Sequence, residues 1–482
     1  MEVEKAHLKL EKEALDELKK TYETALNDIK ERAKSLKSEE MLESKIRQLN
    51  YQKALETQVS GILDILKTDN TITINKYLTK AYENGFVGTL YNMQNEEIPL
   101  ALGIDQKQVL TSISKKIENM TFADREDTNM NDFKKKIKAE ITRGIANNAK
   151  YPEIARNLDN VTKEGVNSSY RICRTEMGRI SQESKFDCMV RAKENGADIV
   201  KQWDSTMDSR TRESHAKVDG EVKELDEKFS NGLMYPCDPL GGASEVINCR
   251  CVMLERARWA IEAELSGENT FTKAIRNKDG TTEIREFNTS SYNAFKKDFF
   301  KWQEEVNKKA DLENKIQEVY KFVLAKGLKN NKENLYVIDI NGNDIYKMNG
   351  EKSSVTFDDE LIGILENSEE NSIILVHNHP KSSSFSSADI NVALNFKSIK
   401  EMRVIAHDEK TEYLLDLKDN AFNGKNINKE YSDSKSKFYM EYFNKVQNNE
   451  LAPNEAWYQH SNDILEDLSK KYDWKYERII KK

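Results

Sequence analysis

Residues that break helices are scarce in this sequence, with 6 prolines and 19 glycines among 482 residues. This scarcity favours long helices and argues against a β-sandwich, whose many turns need both residue types. An excess of basic residues is also missing. The net charge of −8 excludes a global basic surface for nucleic acid, so any such contact must be local. A chain of this length exceeds one ordinary core and predicts three or four folding units.

Long apolar runs are absent as well, most clearly at the N-terminus. The first 20 residues contain no apolar core, so we expect neither a signal peptide nor a transmembrane helix there, and no membrane partner. The five cysteines are odd in number and scattered. Without a secretory signal, this pattern predicts reduced thiols and a cytosolic compartment.

The N-terminal stretch to about residue 70 follows a helical period, with charges on the faces between its apolar residues. Those apolar residues are Leu8, Leu15, Leu18, Tyr22 and Leu26. We expect a solvated helix or short coiled coil that lacks a broad apolar face and is ordered chiefly by its partners. A second helical block reaches about residue 150, and Pro152 suits the first turn of a further helix.

The rest of the chain mixes helices and strands, so the sequence predicts a multidomain α+β protein with a long helical N-terminal half. After about residue 312 the order helix–strand–strand–helix–strand–helix–strand–strand describes a compact α/β unit. The predicted segments are a helical arm with a partner-contacting region (1–150), a small α+β domain (151–256), a linker with a hairpin turn at NKDGTTE (257–311), the α/β unit (312–420) and a polar helical tail (421–482).

A cluster of polar residues follows the apolar strand SIILV. His377 and His379 are two residues apart at its end, so both imidazoles point to the same side. Asp389 lies in the first turn of the next helix; two imidazoles and a carboxylate are the ligand set of a catalytic zinc that leaves one position for water. Ser386 is close enough to donate to an oxyanion. The alternative is a polar loop of satisfied histidines, with Ser386 or Ser387 as a helix N-cap.

The run HNHPKSSSFSSAD resembles the signature of the JAMM (JAB/MPN) metalloproteases, His-x-His-Pro followed by Ser-x-x-Asp. The resemblance covers about residues 312–420 and includes the order of elements, although the loop from His379 to Ser386 is one residue shorter than usual. It implies a mixed sheet, one catalytic zinc held by His377, His379 and Asp389, and Ser386 as oxyanion donor. It also implies a protein or peptide substrate cleaved at a peptide or isopeptide bond.

The general base of that family is an upstream glutamate, which usually sits where the first helix passes into the first strand. This position favours Glu333. Glu351, after the second strand, is the alternative, although Met348 occupies the nearest matching position. If neither glutamate reaches the metal, the domain binds zinc without hydrolysing a substrate.

The middle of the chain carries several short motifs in order: Arg-Thr-Glu, a Trp followed by Asp-x-Arg-x-x-x-x-His, an Asp-Gly turn, a Pro-x-Asp-Pro loop and a final Asn-Cys-Arg-Cys. The matching residues are Arg174, Thr175, Glu176, Trp203, Asp208, Arg210, Arg212, His215, Asp219, Gly220, Pro236, Asp238, Asn248, Cys249, Arg250 and Cys251. This order resembles the Mu F type phage head morphogenesis domain. One departure is Cys237, which stands where that family usually has glycine.

Membership of that family would imply a minor head protein of the virion, associated with the portal protein and other head proteins at one capsid vertex. It would be present in few copies and would occupy the host cytoplasm during assembly. Relatives often append enzymatic or toxin-like domains at the C-terminus, and the JAMM-like unit would be one of these.

A second metal site is one interpretation of His215, Cys249 and Cys251, with Cys237 as a fourth ligand. If they share a metal, their nitrogen and sulfur atoms should converge within about 4 Å. The Cys-x-Cys spacing is not the usual zinc knuckle, and alternate residues of a strand can equally pack small thiols against a core.

Four arginines of the middle segment could contact the phosphates of packaged DNA, or make the protein a DNA-binding or nuclease effector. They are Arg174, Arg210, Arg212 and Arg250. The alternative is internal pairing with nearby carboxylates. Those carboxylates are Glu176, Asp204, Asp208 and Asp219.

Overall fold

The computed structural model describes residues 2–35, 45–147, 151–261, 285–351, 354–417 and 426–481. The chain forms two compact units, Met1–Gln303 and Glu304–Lys482. Among the described helices, none has a stretch that is both apolar and long enough to cross a lipid bilayer. The hairpin turn expected at residues 277–283 lies outside the described residues.

Long helices build most of the first unit, as the scarcity of proline and glycine predicts. They are α1 (Glu2–Ser35), α2 (Lys45–Asn95), α3 (Gln106–Ser114), α4 (Phe122–Ala146) and α5 (Tyr151–Glu194). Helix α5 continues without a break from Tyr151 to Glu194, with Pro152 in its first turn as expected. It ends just before Gly196, whose φ of 91° supplies the left-handed conformation that commonly terminates a helix.

The expectation of an N-terminal arm ordered chiefly by partners is wrong. Helix α1 packs against α2 and α5, and its apolar side enters two hydrophobic cores of the first unit. Leu18 is 0 % exposed, and the buried Tyr22 hydroxyl lies 2.8 Å from Ser169 Oγ of α5. Buried Ala14 and Ala25 lie between the larger apolar residues. These small residues widen the apolar stripe and let neighbouring helices approach, which the leucine spacing alone did not indicate.

A small antiparallel sheet completes the first unit, with strand order β2-β1-β3. Its elements are β1 (Ile199–Asp204), α6 (Glu213–Ala216), β2 (Val222–Lys223), a 3-10 turn (Pro239–Gly241), α7 (Ala243–Val246) and β3 (Val252–Ala257). Trp203 of β1 pairs with Met253 of β3 and is fully buried. Its ring packs edge-on against Phe229 at 5.1 Å, so one aromatic pair anchors loops that contain little regular structure.

A buried charge network ties α5 to α3 and α4. Arg179 is 0 % exposed; its Nε lies 2.9 Å from Glu176 and its Nη1 lies 2.7 Å from Glu183. Nη2 donates to the carbonyl of Ser112 in α3 at 2.9 Å, and Arg125 of α4 also pairs with Glu176. The glutamate of the Arg-Thr-Glu motif, Glu176, therefore has a structural role as the ion-pair partner of two arginines.

Replacing Arg179 by alanine should strongly destabilise the first unit, because it leaves two buried carboxylates without their shared partner. Breaking a buried pair in this way costs about 3–5 kcal/mol. Chemical denaturation of the full chain measures the change. The control is Arg143→Ala, which removes a pair to Glu140 from a side chain that is 62 % exposed; it should cost less than about 1 kcal/mol. Equal losses in both variants would contradict the assignment.

The second unit is built on a six-stranded sheet with the order β5-β4-β6-β7-β8-β9. The strands are β4 (Asn334–Asp339), β5 (Asp344–Asn349), β6 (Ile373–His379), β7 (Ile399–Ala406), β8 (Thr411–Asp416) and β9 (Lys475–Ile480). Strands β6 and β7 are parallel and the other neighbours are antiparallel, so the predicted mixed sheet is confirmed.

Helices cover both faces of this sheet. They are α8 (Tyr292–Asn330), α9 (Asp359–Asn367), α10 (Ser387–Asn395), α11 (Asn428–Gln447) and α12 (Pro453–Tyr472). Val323 of α8 packs with Tyr336 and Val376 on one face, whereas Leu361 of α9 and Leu465 of α12 join the core on the other. The element order predicted for residues 312–420 is the order observed.

The segment 421–482 is not merely a polar tail. Its described part supplies α11, α12 and strand β9, which pairs antiparallel with β8 and extends the sheet. Leu465, Leu468 and Trp474 are each at most 4 % exposed and belong to the core beneath the sheet. These few apolar residues bury one side of a largely polar helix, and the overall polarity of the segment concealed them.

Candidate metal centre

Strand β6 carries the two histidines into the interior of the second unit. All seven of its residues are buried, and their side chains alternate between the two cores. Val376 packs toward α8, and Leu375 packs into the core on the opposite face. His377 and His379 continue the Leu375 face, because alternate residues of a strand share a face. Their ring centroids are 4.7 Å apart.

Two ring nitrogens and one carboxylate face a common point. The Nε2 atoms of His377 and His379 lie 2.9 Å apart. Asp389 Oδ1 is 3.5 Å from His377 Nε2, and Asp389 Oδ2 is 3.7 Å from His379 Nε2. Nitrogen and oxygen ligands placed tetrahedrally around zinc, each at 2.0–2.2 Å, are separated by about 3.4 Å. The donor types and the two nitrogen-to-oxygen distances therefore fit a zinc ion, whereas the two nitrogens are closer than this spacing and would separate on binding.

The surroundings of His379 prepare it to bind a cation. Its Nδ1–H donates to the carbonyl of Ser383 at 2.8 Å, which leaves the Nε2 lone pair facing the carboxylate. Burial lowers the pKa of His379 and the neighbouring His377 lowers it further, although Asp389 and Glu333 raise it. The neutral, metal-binding form is thus favoured. His377 Nδ1 is buried and has no hydrogen-bond partner within the described chain.

Ser386 caps helix α10 and orients Asp389. Its backbone N–H and its hydroxyl each donate to Asp389 Oδ2 at 2.7 Å, and the Asp389 N–H donates to Ser386 Oγ at 3.3 Å. Burial raises the pKa of Asp389, but contact with His377 and His379 and the Ser386 N–H bring it well below its usual value. Ser386 is therefore an N-cap, as the alternative interpretation held, and also a wall of the cavity beside the histidines.

Glu333 lies just before β4 in the wall of the same cavity and is 8 % exposed. Leu335 pairs with His377 in the sheet register, so Glu333, two residues earlier, lies on the face of the histidines. Burial raises the pKa of Glu333 to about 7, with Asp389 adding to the rise and His379 opposing it. A bound cation would lower this pKa, because it favours the charged carboxylate.

Glu351 occupies a different environment from Glu333. Its side chain is 76 % exposed and pairs with Lys332 at 3.3 Å, and it does not line the cavity. Only its carbonyl contacts the other candidate, accepting the Glu333 N–H at 2.8 Å. Of the two alternative bases, the geometry favours Glu333.

Asn378 fixes Glu333 relative to the histidines, and the sequence analysis missed it. Its side chain leaves the opposite face of β6. There Oδ1 accepts a hydrogen bond from the N–H of Asn334 at 2.8 Å, and Nδ2 donates to the carbonyl of Lys332 at 2.9 Å. Asn378 is therefore hydrogen-bonded to the two residues that flank Glu333. Nδ2 also lies 2.7 Å from His407 Nε2. The sequence could have indicated this. Side chains alternate along a strand, so the residue between His377 and His379 must point to the opposite face of the sheet.

Helix α8 leaves room for this clamp at Gly327. A Cβ at that position would lie 2.2 Å from Asn378 Nδ2 and 2.7 Å from His407 Nε2. The absence of a side chain therefore allows close packing of the helix against the hydrogen-bonded group.

The cavity beside these residues has a volume of about 210 Å³. Besides the polar residues already described, its walls are largely apolar. They include Leu335, Val355, Phe357, Leu375, Val392 and Met402. An apolar side chain of a substrate could be held there while its polar backbone approaches the carboxylates and imidazoles.

Asn378→Ala should destabilise the second unit, because the buried N–H of Asn334 loses its acceptor and the carbonyl of Lys332 keeps only one of its two side-chain donors, Asn334 Nδ2. The expected loss is about 1–3 kcal/mol in the free energy of unfolding, measured by urea denaturation of the full chain. Asn395→Ala is the control, since that side chain bonds only an exposed carbonyl of its own helix; it should change stability by less than about 0.5 kcal/mol. An Asn378→Ala variant as stable as this control would refute the clamp.

The structure also brings together His215, Cys249 and Cys251 in the first unit. His215 Nδ1 is 3.5 Å from Cys249 Sγ and 3.3 Å from Cys251 Sγ, and the three donor atoms all lie within 4.8 Å of one another. The pKa of Cys249 is raised to about 12, chiefly by its interaction with Cys237. The pKa of Cys251 is also raised to about 12, by hydrogen bonding to Cys249 and by burial. Both thiols are therefore protonated when no cation is bound.

The four arginines of the middle segment each have a partner inside the protein. Arg250 makes two hydrogen bonds of 2.6 Å to Asp208, which together with a backbone bond hold the pKa of that carboxyl well below its usual range. Arg210 also contacts Asp208, at 3.4 Å. Arg174 pairs with Glu11 at 2.9 Å rather than with a carboxylate of the middle segment, and Arg212 donates to a backbone carbonyl. This arrangement favours internal roles over a phosphate-contacting face.

Two curated proteins are similar to part of this chain. The chain is 27 % identical over 246 residues to NAD(+)--arginine ADP-ribosyltransferase EFV of Enterococcus faecalis (strain ATCC 700802 / V583), which is 50 % of each protein. It is 20 % identical over 224 residues to Minor head protein GP7 of Bacillus phage SPP1, covering 46 % of this chain and 68 % of that protein. The chain thus spans about half the length of the first relative. No solved structure matches.

A family profile gives the position of the likeness. Residues 135–254 match the family described as Phage Mu protein F like protein. The match includes all of α5, the strands β1 and β2, and the cluster of His215, Cys249 and Cys251, and it ends before the unit that begins at Glu304. Residues 135–254, hereafter called the Mu F-like domain, are therefore similar to that family.

Proposed function

We propose that the protein is a phage minor head protein that acts in head morphogenesis and belongs to the virion. Two similarities support this: residues 135–254 match the Mu F-like family, and the alignment with GP7 covers 68 % of that minor head protein. Its partners would be the portal protein and other head proteins, met in the host cytoplasm during assembly. The activity in the name of the Enterococcus faecalis relative is not carried over, because the alignment covers half of that protein.

Purified particles of a phage that encodes this protein should contain it in few copies relative to the major capsid protein. Quantitative mass spectrometry of intact virions, with the portal protein as an internal reference, measures the ratio. A protein abundant in infected cells but absent from heads purified at every stage of assembly would contradict the proposal.

The second part of the proposal concerns the unit Glu304–Lys482, which would be a zinc-dependent peptidase or isopeptidase. The observation that carries it is the convergence of His377 and His379 Nε2, the Asp389 carboxylate and the Glu333 carboxylate on one cavity. Each residue alone has an ordinary structural explanation, but three donor groups that converge and a fourth group, a buried carboxylate, beside them do not.

His377, His379 and Asp389 would hold the zinc, which supplies a water of lowered pKa and polarises the carbonyl that is attacked. Glu333 would take a proton from the attacking water and return it to the leaving amine. Its burial suits this role, because burial raises the pKa of the carboxyl and so opposes the lowering that the bound cation would cause.

The hydroxyl of Ser386 would donate a hydrogen bond to the developing oxyanion. That hydroxyl now donates to Asp389 Oδ2, so it must leave the carboxylate during the reaction. The Ser386 N–H donates to the same oxygen and would keep the carboxylate oriented meanwhile. The hydroxyl is thus free to change partner without loss of the ligand geometry.

Glu333→Gln should lower kcat by about 10²–10⁴-fold and leave the zinc content unchanged, because the amide cannot accept a proton yet keeps the shape of the side chain. Hydrolysis of a panel of fluorogenic peptides and isopeptide-linked substrates measures turnover, and elemental analysis measures zinc.

Glu351→Gln is the matched control, since the same substitution in the exposed glutamate should change neither quantity. His377→Ala should lose the zinc of this site. Full activity in Glu333→Gln would exclude this residue as the base; an unchanged zinc content in His377→Ala would exclude the metal site itself. Zinc retained by a protein with no turnover on any substrate would favour metal binding without catalysis.

A further inference from the structure

We propose that the Mu F-like domain holds a second, structural zinc ion, bound by His215 Nδ1 and the thiolates of Cys249 and Cys251, with Cys237 as the fourth donor. This site is separate from the cavity of the second unit and does not depend on the proposed peptidase activity.

The spacing of the three central donors fits zinc. A nitrogen about 2.0 Å and a sulfur about 2.3 Å from a tetrahedral zinc are about 3.5 Å apart. The distances of 3.5 Å and 3.3 Å from His215 Nδ1 to Cys249 and Cys251 are close to this value. Thiolate and imidazole donors are also those that structural zinc sites use.

The orientation of His215 is fixed from the other side of its ring. Its Nε2 lies 2.7 Å from Glu245 Oε2, and the Ser214 hydroxyl donates to the same carboxylate oxygen at 3.1 Å. A carboxylate accepts, so Nε2 carries the proton and the Nδ1 lone pair faces the two sulfurs. Histidine ligands of metals typically donate their second ring N–H to a carboxylate in this way.

Chain geometry turns both thiols inward. Asn248 has a φ of 57°, a left-handed turn that leads into the extended stretch before β3. Arg250 points away and binds Asp208, so Cys249 and Cys251 share the face toward His215. The exposed ion pair thus marks the outer side of the segment, and the cysteines occupy the inner side.

Cys237 approaches the cluster from a third segment. It is 1 % exposed and packs with Cys249. Its sulfur is not among the three donor atoms that all lie within 4.8 Å of one another, so it would move closer to them to complete the ligand set. Its φ of 64° is a conformation that glycine adopts without cost and that other residues rarely adopt. A cysteine kept at such a position beside another thiol is explained if its sulfur is a ligand.

The local fold gives the ion a purpose. Helices α6 and α7 have four residues each and β2 has two, and the hydrophobic clusters around Trp203 and Cys237 are small. One ion would join α6, the loop at Cys237 and the start of β3. Cross-links of this kind compensate for a small core, and the thiols would release their protons on binding.

Metal content of the full chain tests the proposal. With both sites filled, the wild-type protein should bind two zinc ions and His377→Ala/His379→Ala should keep one. Cys249→Ser/Cys251→Ser should lose one ion from either background. The control is Cys173→Ser/Cys188→Ser, which removes two buried thiols outside the cluster and should lose none. If only the C-terminal site fails, the wild type binds one ion and the Cys249→Ser/Cys251→Ser variant binds none.

Cobalt gives a second readout that does not require a variant to fold. The wild-type protein reconstituted with Co²⁺ should show thiolate-to-cobalt charge-transfer absorption, which the nitrogen and oxygen donors of the C-terminal site cannot produce. Cys237→Ser should lower its intensity; an unchanged band would remove Cys237 from the ligand set. Absence of the band in the wild type, or zinc content unaffected by Cys249→Ser/Cys251→Ser, would overturn the site.

Discussion

A strand buried on both faces cannot leave polar side chains without partners, and β6 ends in three of them. On one face, His377 and His379 converge with Asp389. On the other, Asn378 binds the backbone on both sides of Glu333. The need to pair buried polar groups thus accounts for two features. It brings His377, His379 and Asp389 together, and through Asn378 it holds Glu333 beside them. The neighbouring strands, the close approach of α8 at Gly327 and the Ser386 cap of α10 all hold the groups at the end of β6 in place.

The two proposed zinc sites, one at His377 and the other at His215, differ in the way that catalytic and structural zinc sites generally differ. The C-terminal cluster has two nitrogens and a carboxylate beside a cavity of about 210 Å³, which leaves room for water and substrate. The cluster around His215 has sulfur donors and lies among short loops, with Cys237 as its proposed fourth ligand. The first arrangement suits turnover and the second suits cross-linking, so one chain would use the same ion for different purposes.

Local patterns of sequence identified much of this, and contacts between distant segments account for what they missed. The strand that precedes the two histidines and the capped helix that follows could be predicted, because each is encoded within a few residues. The mixed sheet was expected from the family resemblance instead, since it pairs strands that lie far apart in the chain. Neither the packing of α1 nor the strand β9 could be, since both depend on surfaces supplied by elements far along the chain. Sequence position favoured Glu333 over Glu351 as the base, and burial then separated the two, with Glu333 in the wall of a cavity and Glu351 in solvent.

The addition of β9 has a consequence for association between copies. It makes β5 and β9 the edges of the described sheet, and both carry charged residues: Asp344 and Lys347 on one, and Lys475, Glu477 and Arg478 on the other. Exposed edges rich in charge resist the strand-to-strand pairing that leads to aggregation. Molecules crowded at high local concentration could therefore remain discrete, with their sheets unable to polymerise.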